Sequence, residues 1–151
     1  MKAVFQRVLN AWVETEGKRV GTTRQGALLF LGVEVGDGMA QVEKLAQKVA
    51  ELRVFEDENG KMNRSVRDIG GGILLISNFT LCGDCSHGRR PEFLSAARPE
   101  QAEPLYEAFA AALRKRGVDT VETGVFGADM RVMAENDGPV TIILNTKDWK
   151  C

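Results

Sequence analysis

With 151 residues, of which 44% are hydrophobic and 27% charged, the chain has the composition of one globular domain large enough to bury a core. The net charge of −1 argues against a generally basic nucleic-acid-binding protein, and no apolar run is long enough to cross a bilayer. Charged residues appear too early at the N-terminus for a signal peptide. We therefore expect a cytoplasmic protein that makes no contact with a membrane.

The first half of the chain begins with strands and continues into a helix. Residues 2–8 and 11–13 predict two strands, residues 19–21 follow a hairpin turn as a third, and residues 27–33 predict a fourth. Residues 39–53 change to a helical period, with apolar side chains at positions 42, 45, 46, 49 and 52. The segment 55–64 reads as a hairpin-like loop around Asn59-Gly60.

The second half contains a buried central strand, a helix and three further strands. Residues 73–76 follow three glycines and predict a fully buried strand. A helix is expected from Pro99 to Gly117, and strands at 120–125, 130–135 and 140–145. Asn136-Asp137-Gly138-Pro139 predicts a turn between the last two strands. These elements predict one α/β domain over residues 1–151, with a mixed sheet and two main helices.

Polar residues appear where the central strand would be expected to remain apolar. If the strand continues to Leu81, then Ser77, Phe79 and Leu81 share one face while Asn78 and Thr80 share the other. One interpretation is a strand that ends in a polar loop. The other is an edge at which backbone N–H groups and a hydroxyl stabilise an oxyanion during acyl transfer.

A catalytic serine or threonine nucleophile at this strand end would require a base. His87 is the single histidine, and it follows a glycine-containing loop that separates it from Ser77 and Thr80. Cys82, Cys85 and His87 have a spacing that can bind zinc, although a fourth ligand would have to come from a distant residue such as Cys151. Arg89-Arg90 is the cluster best suited to contact a phosphate.

Two signatures resemble those of the D-aminoacyl-tRNA deacylases, also called D-tyrosyl-tRNA deacylases. These are Ser77-Asn78-Phe79-Thr80-Leu81 and Asn136-Asp137-Gly138-Pro139-Val140-Thr141. Further matches cover nearly the whole chain in order: Gln6-Arg7-Val8, Gly60-Lys61-Met62-Asn63, Gly88-Arg89-Arg90-Pro91 and Phe126-Gly127-Ala128-Asp129-Met130. The family usually has Gln at the position of Asn78, and an aromatic or small residue at the position of Cys82.

The resemblance implies a barrel-like deacylase fold and hydrolysis of the ester that joins a D-amino acid, or glycine, to the terminal adenosine of tRNA. It implies a homodimer that binds the aminoacyl-tRNA acceptor end, with no cofactor, metal or DNA. Ser77, Asn78, Phe79 and Thr80 would form the catalytic wall. The substrate would contact Phe126, Met130 and a cis Gly138-Pro139 motif from the partner, which excludes L-amino acids. Arg7 would fix this motif across the dimer interface.

Several alternatives remain open from the sequence. The resemblance favours activation by the 2′-hydroxyl of the substrate, whereas a competing mechanism makes Thr80 the nucleophile. Asn78 also leaves room for a non-catalytic dimer that binds RNA ends. A small zinc-binding structural protein is a third interpretation, and a sibling deacylase that removes L-alanine through a trans Gly-Pro bond is a fourth.

Overall fold

The computed structural model describes residues 1–150, and Cys151 lies outside the described residues. The strands are β1 (Lys2–Thr15), β2 (Lys18–Thr23), β3 (Gly26–Gly32), β4 (Phe55–Glu56), β5 (Met62–Arg64), β6 (Gly72–Ser77), β7 (Thr120–Thr123) and β8 (Arg131–Asn145). The helices are α1 (Met39–Glu51) and α2 (Pro99–Lys115), and short 3₁₀ helices span Phe79–Cys82 and Thr146–Asp148. Both predicted helices are confirmed.

The sheet combines antiparallel and parallel pairing. β1 pairs antiparallel with β2, β3 and β8, whereas β6 lies parallel to both β3 and β7. Parallel neighbours need long crossover connections, and the segments that contain α1 and α2 supply them. The backbone N–H of Thr22 in β2 donates to Glu122 Oε1 in β7 at 3.1 Å, so the two ends of the sheet approach each other. The expected mixed α/β fold with a barrel-like core is confirmed.

Alternation along the central strands creates two apolar clusters. Ala27, Leu29 and Leu31 face one side of β3 and pack with Ile73 and Leu75 of β6 against both helices. Leu28 and Leu74 face the opposite side, where they pack with Val8, Ala11, Val13 and Ile76. Both faces of β3 and β6 are therefore buried, which explains their almost continuous apolar sequence. Within residues 1–150, no helix is both long and apolar enough to span a bilayer.

Two predicted strand breaks are wrong. Residues 2–8 and 11–13 belong to one strand, β1, in which a pairing irregularity beside Leu9 replaces a break. Residues 131–135 and 140–145 likewise belong to β8, which begins one residue later than predicted, and the predicted turn at residues 136–139 is a bulge opposite Arg7. Pairing with β1 on both sides of this segment overrides its turn-forming composition.

Candidate functional site

A cavity of about 620 Å³ opens at the carboxyl ends of β3 and β6. Open α/β sheets commonly bind ligands at such strand ends. One wall comprises residues 77–80, and the facing wall is the loop 126–130 that leads into β8. The remaining lining residues are mostly apolar and come from β3, β6, the start of α2 and β8: Phe30, Leu31, Val33, Ile76, Ala97, Pro99, Ala102 and Val132.

The first wall is a tight turn and not a continued strand. The backbone N–H of Asn78 still donates to the Leu31 carbonyl at 2.8 Å, but Leu81 N–H then donates to Asn78 O at 3.3 Å. The 3₁₀ helix Phe79–Cys82 begins at this point. The predicted sharing of faces by Ser77, Phe79 and Leu81 is therefore wrong, because strand alternation ends at Ser77. The other interpretation, a strand that ends in a polar segment, agrees with these contacts.

Three contacts from outside the turn hold it in place. The buried Cys82 Sγ donates to the Val33 carbonyl at 3.6 Å, and Ser95 Oγ donates to the Cys82 carbonyl at 2.7 Å. Phe93 packs its ring against Phe79 in an edge-on arrangement with centroids 5.2 Å apart. Two hydrogen bonds at Cys82 and the ring of Phe93 thus hold the turn in place, while Phe79 remains 56% exposed.

Polar groups of the turn are directed to one another as well as to the cavity. The Thr80 hydroxyl donates a hydrogen bond to Asn78 Oδ1. Asn78 makes no side-chain cap for the 3₁₀ helix that follows it. The first N–H groups of a helix have no partner within that helix. This wall therefore combines backbone N–H groups that have no partner within the helix with the hydroxyls of Ser77 and Thr80 and the amide of Asn78.

The second wall is held by aromatic and thioether packing. The Phe126 ring lies 5.8 Å from that of Tyr106, centroid to centroid. Tyr106 is buried, its hydroxyl donates to the Leu75 carbonyl at 2.9 Å, and burial raises the pKa of that hydroxyl to about 12. Met130 packs against the smaller apolar cluster. Tyr106 thus links the second wall to β6, which carries the first.

Gly138 and Pro139 do not line the cavity of their own chain. Both are exposed on β8, and the peptide bond between them is cis. Arg7 is 6% exposed and forms an ion pair with the Asp137 carboxylate at 3.2 Å. Its guanidinium also donates to the Asp137 carbonyl at 3.2 Å and to the Val54 carbonyl at 2.7 Å. Arg7 therefore supports the bulge of its own chain, whereas the resemblance implied that it fixes this motif across the dimer interface.

Comparisons with known proteins identify a family for this chain. Residues 4–145 match the model of the D-Tyr-tRNA(Tyr) deacylase family. A D-aminoacyl-tRNA deacylase of Thermus aquaticus is 55% identical over 98% of this chain and 97% of the relative, and that of Halalkalibacterium halodurans is 53% identical over 97% and 100%. The chain belongs to the D-Tyr-tRNA(Tyr) deacylase family. The family expected from the two signatures is confirmed.

Solved structures resemble this deacylase family member over almost its full length. A structure described as c-Myc DNA Unwinding Element Binding Protein has a TM-score of 0.92 and 41% identity, covering 97% of this chain and 99% of the other. A probable eukaryotic D-amino acid tRNA deacylase has a TM-score of 0.81 over 95% and 97% of the two chains. Its identity of 16% makes it evidence for the fold alone.

Of the nine site residues predicted for this deacylase family member, six line the cavity: Ser77, Asn78, Phe79, Thr80, Phe126 and Met130. Arg7, Gly138 and Pro139 lie on the β1–β8 ladder instead. The roles of all nine in binding or catalysis stay predictions. Sequence reasoning missed Asp129, which is the one titratable side chain among the described lining residues. Its position between Phe126 and Met130 in a matched segment was the available signal.

The zinc interpretation receives no support from the arrangement of its ligands. Cys82 is buried, and burial raises the pKa of its thiol, whereas Cys85 is exposed. His87 is also exposed, and its Nδ1 lies 2.8 Å from Ser86 Oγ. Among residues 1–150, no group of three or more metal-ligating side chains converges. Cys151, the distant ligand considered from the sequence, lies outside the described residues.

Proposed function

We propose that this family member hydrolyses the ester between a D-amino acid, or glycine, and the terminal adenosine of tRNA. Water adds to the ester carbonyl and the bond to the ribose oxygen breaks, which releases the free amino acid and tRNA. Family membership supports the reaction class. The observation that carries the mechanism is that the Thr80 hydroxyl, in this cavity, is hydrogen-bonded to the Asn78 amide oxygen and not to a base.

A cavity of this composition is suited to a reaction in which the substrate supplies part of the chemistry. A side-chain nucleophile needs a base within hydrogen-bond reach. The described partner of the Thr80 hydroxyl is an amide oxygen, which is not a base at neutral pH. The 2′-hydroxyl beside the ester would then assist the attacking water. The backbone donors at the start of the 3₁₀ helix would stabilise the developing oxyanion.

We also propose that the active unit is a homodimer in the cytoplasm. Residue pairing puts Phe30, Val4 and Ile143 side by side on one face of adjacent strands. Phe30 lines the cavity and Ile143 is 78% exposed, so an apolar strip runs from the cavity towards the outer strand. Among the described residues, β8 pairs with β1 alone, which leaves its other edge available for a second copy.

In this dimer, the bulge at residues 136–139 of one subunit would complete the cavity of the other. Its exposure outside its own cavity and its support by the buried Arg7 favour this arrangement. The carbonyl groups of Gly138 and Pro139 would accept hydrogen bonds from the α-ammonium group of the substrate. That contact would leave room for the α-hydrogen of a D-amino acid but not for an L side chain, so selectivity would arise from exclusion.

The test is deacylation of matched D-tyrosyl-, L-tyrosyl- and glycyl-tRNA by purified protein, together with its mass in solution by light scattering. We expect rapid release of D-tyrosine and glycine, no release of L-tyrosine above the uncatalysed rate, and the mass of a dimer. Tight binding of D-tyrosyl-tRNA without turnover would favour the non-catalytic RNA-end-binding dimer. Release of L-alanine in preference to D-tyrosine would favour the sibling activity.

A further inference from the structure

Asn78 and Thr80 form a side-chain pair at the entrance of the turn. Both line the cavity, and the Thr80 hydroxyl donates its hydrogen bond to Asn78 Oδ1. A hydroxyl has one proton to donate and two lone pairs with which to accept. Because Asn78 takes the proton, the oxygen of Thr80 is left to act as an acceptor. Any group in the cavity that bonds to Thr80 must then be a donor.

The position of Asn78 explains why its side-chain oxygen is available to accept the hydrogen bond from Thr80. Its backbone N–H is used by the Leu31 carbonyl and its backbone oxygen accepts from Leu81 N–H, so the main chain is fixed on both sides. The side chain does not cap the 3₁₀ helix that follows it. The amide is therefore held by a rigid main chain and bonded to the side chain two residues ahead.

We propose that Asn78 is a positioning residue that fixes the Thr80 hydroxyl as a hydrogen-bond acceptor for a donor group of the substrate. The proposal rests on the proposed function, because an aminoacyl ester of adenosine carries two such donors, the α-ammonium group and the ribose 2′-hydroxyl. Asn78 itself does not touch the reacting atoms. Its contribution is to the orientation of Thr80, so removing Asn78 should have little effect once the hydroxyl is gone.

Binding measurements test this without requiring turnover. The probe is D-tyrosyl-adenosine in which an amide replaces the ester, titrated calorimetrically into wild-type protein and into Asn78→Ala, Thr80→Val and the double variant. We expect Asn78→Ala to weaken binding about tenfold, the size of one good hydrogen bond. In the Thr80→Val background, the same change should alter the dissociation constant less than about twofold. Equal losses in both backgrounds overturn the proposal.

A conservative variant distinguishes the amide oxygen from the amide nitrogen. Asn78→Asp keeps the shape and an acceptor oxygen but removes the N–H₂ donor, so binding at pH 7 should stay within about threefold of wild type. Binding as weak as that of Asn78→Ala would mean that the nitrogen matters, and the proposal would be wrong. Asn59, which lies in the exposed β4–β5 turn, provides the matched controls Asn59→Ala and Asn59→Asp, which should leave binding unchanged.

Two modified probes identify the donor. One lacks the 2′-hydroxyl, and the other carries a hydroxyl in place of the α-ammonium group. Thr80→Val should no longer weaken binding of the probe that lacks the group donating to Thr80. If Thr80→Val weakens binding of both probes as much as that of the unmodified probe, Thr80 is not an acceptor for either group. The proposed function is judged separately by hydrolysis of D-tyrosyl-tRNA. If hydrolysis fails, the rotamer of Thr80, measured by three-bond couplings to its methyl group with and without Asn78, still decides the positioning role.

Discussion

The two polar segments of the predicted site differ in how the rest of the chain supports them. Residues 77–80 lie at the end of β6, whose first five residues are buried, and the turn is fixed by Cys82, Phe93 and Ser95. Residues 136–139 lie on the outer strand β8, with Gly138 and Pro139 exposed. One buried side chain, Arg7, supports them from the same subunit. The first segment is therefore preorganised by its own chain, and the second presents its backbone outward.

This difference separates two tasks that an enzyme site must perform. A group that stabilises charge in the transition state has to be fixed before the substrate arrives, which suits the anchored turn. A group that selects between substrates by exclusion can be supplied by a neighbouring surface, which suits the exposed bulge. We therefore expect changes at the turn to alter the rate of hydrolysis, and changes at the bulge to alter the discrimination between D- and L-substrates.

The largest expected effect tests whether the turn acts without a side-chain nucleophile. Replacing the 2′-hydroxyl of the terminal adenosine by hydrogen, with the amino acid on the 3′ position, should slow hydrolysis about 10²–10⁴-fold, the usual contribution of acid–base assistance. Thr80→Ala should cost about tenfold, because it removes one hydrogen bond. Single-turnover rates measure both. Undiminished hydrolysis of the deoxy substrate, or an acyl group trapped on Thr80, would contradict this assignment.

The next effect concerns the bulge. Gly138 has a φ of +127°, and an added Cβ would lie 2.8 Å from Val140 N and 2.9 Å from Val140 Cγ2. Gly138→Ala must therefore displace the bulge, and we expect hydrolysis of D-tyrosyl-tRNA to fall about tenfold, the cost of one lost hydrogen bond to the substrate. The ratio of the rate of L-tyrosyl-tRNA hydrolysis to that of D-tyrosyl-tRNA hydrolysis should rise.

Gly36 provides the matched control for this change. It also has a positive φ, +91°, but nothing lies within 4 Å of an added Cβ. Gly36→Ala should therefore share the backbone strain of the left-handed region without moving the bulge. Comparable losses of discrimination in the two variants would show that the Gly138 effect is a general loss of stability.

A smaller effect is expected at the support of the bulge. Arg7→Met keeps the apolar stem but removes the ion pair with Asp137 and leaves the Val54 carbonyl without this donor. The free energy of unfolding should fall by about 1–3 kcal/mol, the cost of a buried polar group that loses its partner. Urea denaturation measures this change, and the ratio of D- to L-hydrolysis should fall less than in Gly138→Ala. A larger loss of discrimination than in Gly138→Ala would mean that Arg7 has a more direct role.

The sequence predicts the two regions unequally, and the reason is physical. The apolar stripes of α1 and α2 and the apolar run of β6 are local patterns, so both helices and the central strand were found. The residue types at 136–139 predict a turn, but pairing with β1, which is distant in sequence, makes this segment a bulge. The second wall of the cavity depends on the crossover through α2, which brings residues 126–130 to residues 77–80. No periodicity encodes that contact.

The smallest expected effect concerns the RNA beyond the terminal adenosine. Arg89 and Arg90 are exposed in the loop that follows the turn, shortly before Phe93, which packs on Phe79. A phosphate contact there would belong to the anchored region and not to the bulge. Each neutralised phosphate contributes a slope of about 0.7–0.9 to the dependence of log affinity on log salt.

Replacing both arginines by glutamine should therefore lower this slope by about 1.4–1.8 if each contacts one phosphate. The catalytic rate at saturating tRNA should change little, because neither residue lines the cavity. Lys115→Gln, at the exposed end of α2, is the control and should leave the slope unchanged. With a net charge of −1, the wild-type slope should itself be shallow. A wild-type slope that corresponds to about six or more contacts, or one that survives loss of both arginines, would show that the RNA is bound along a second surface.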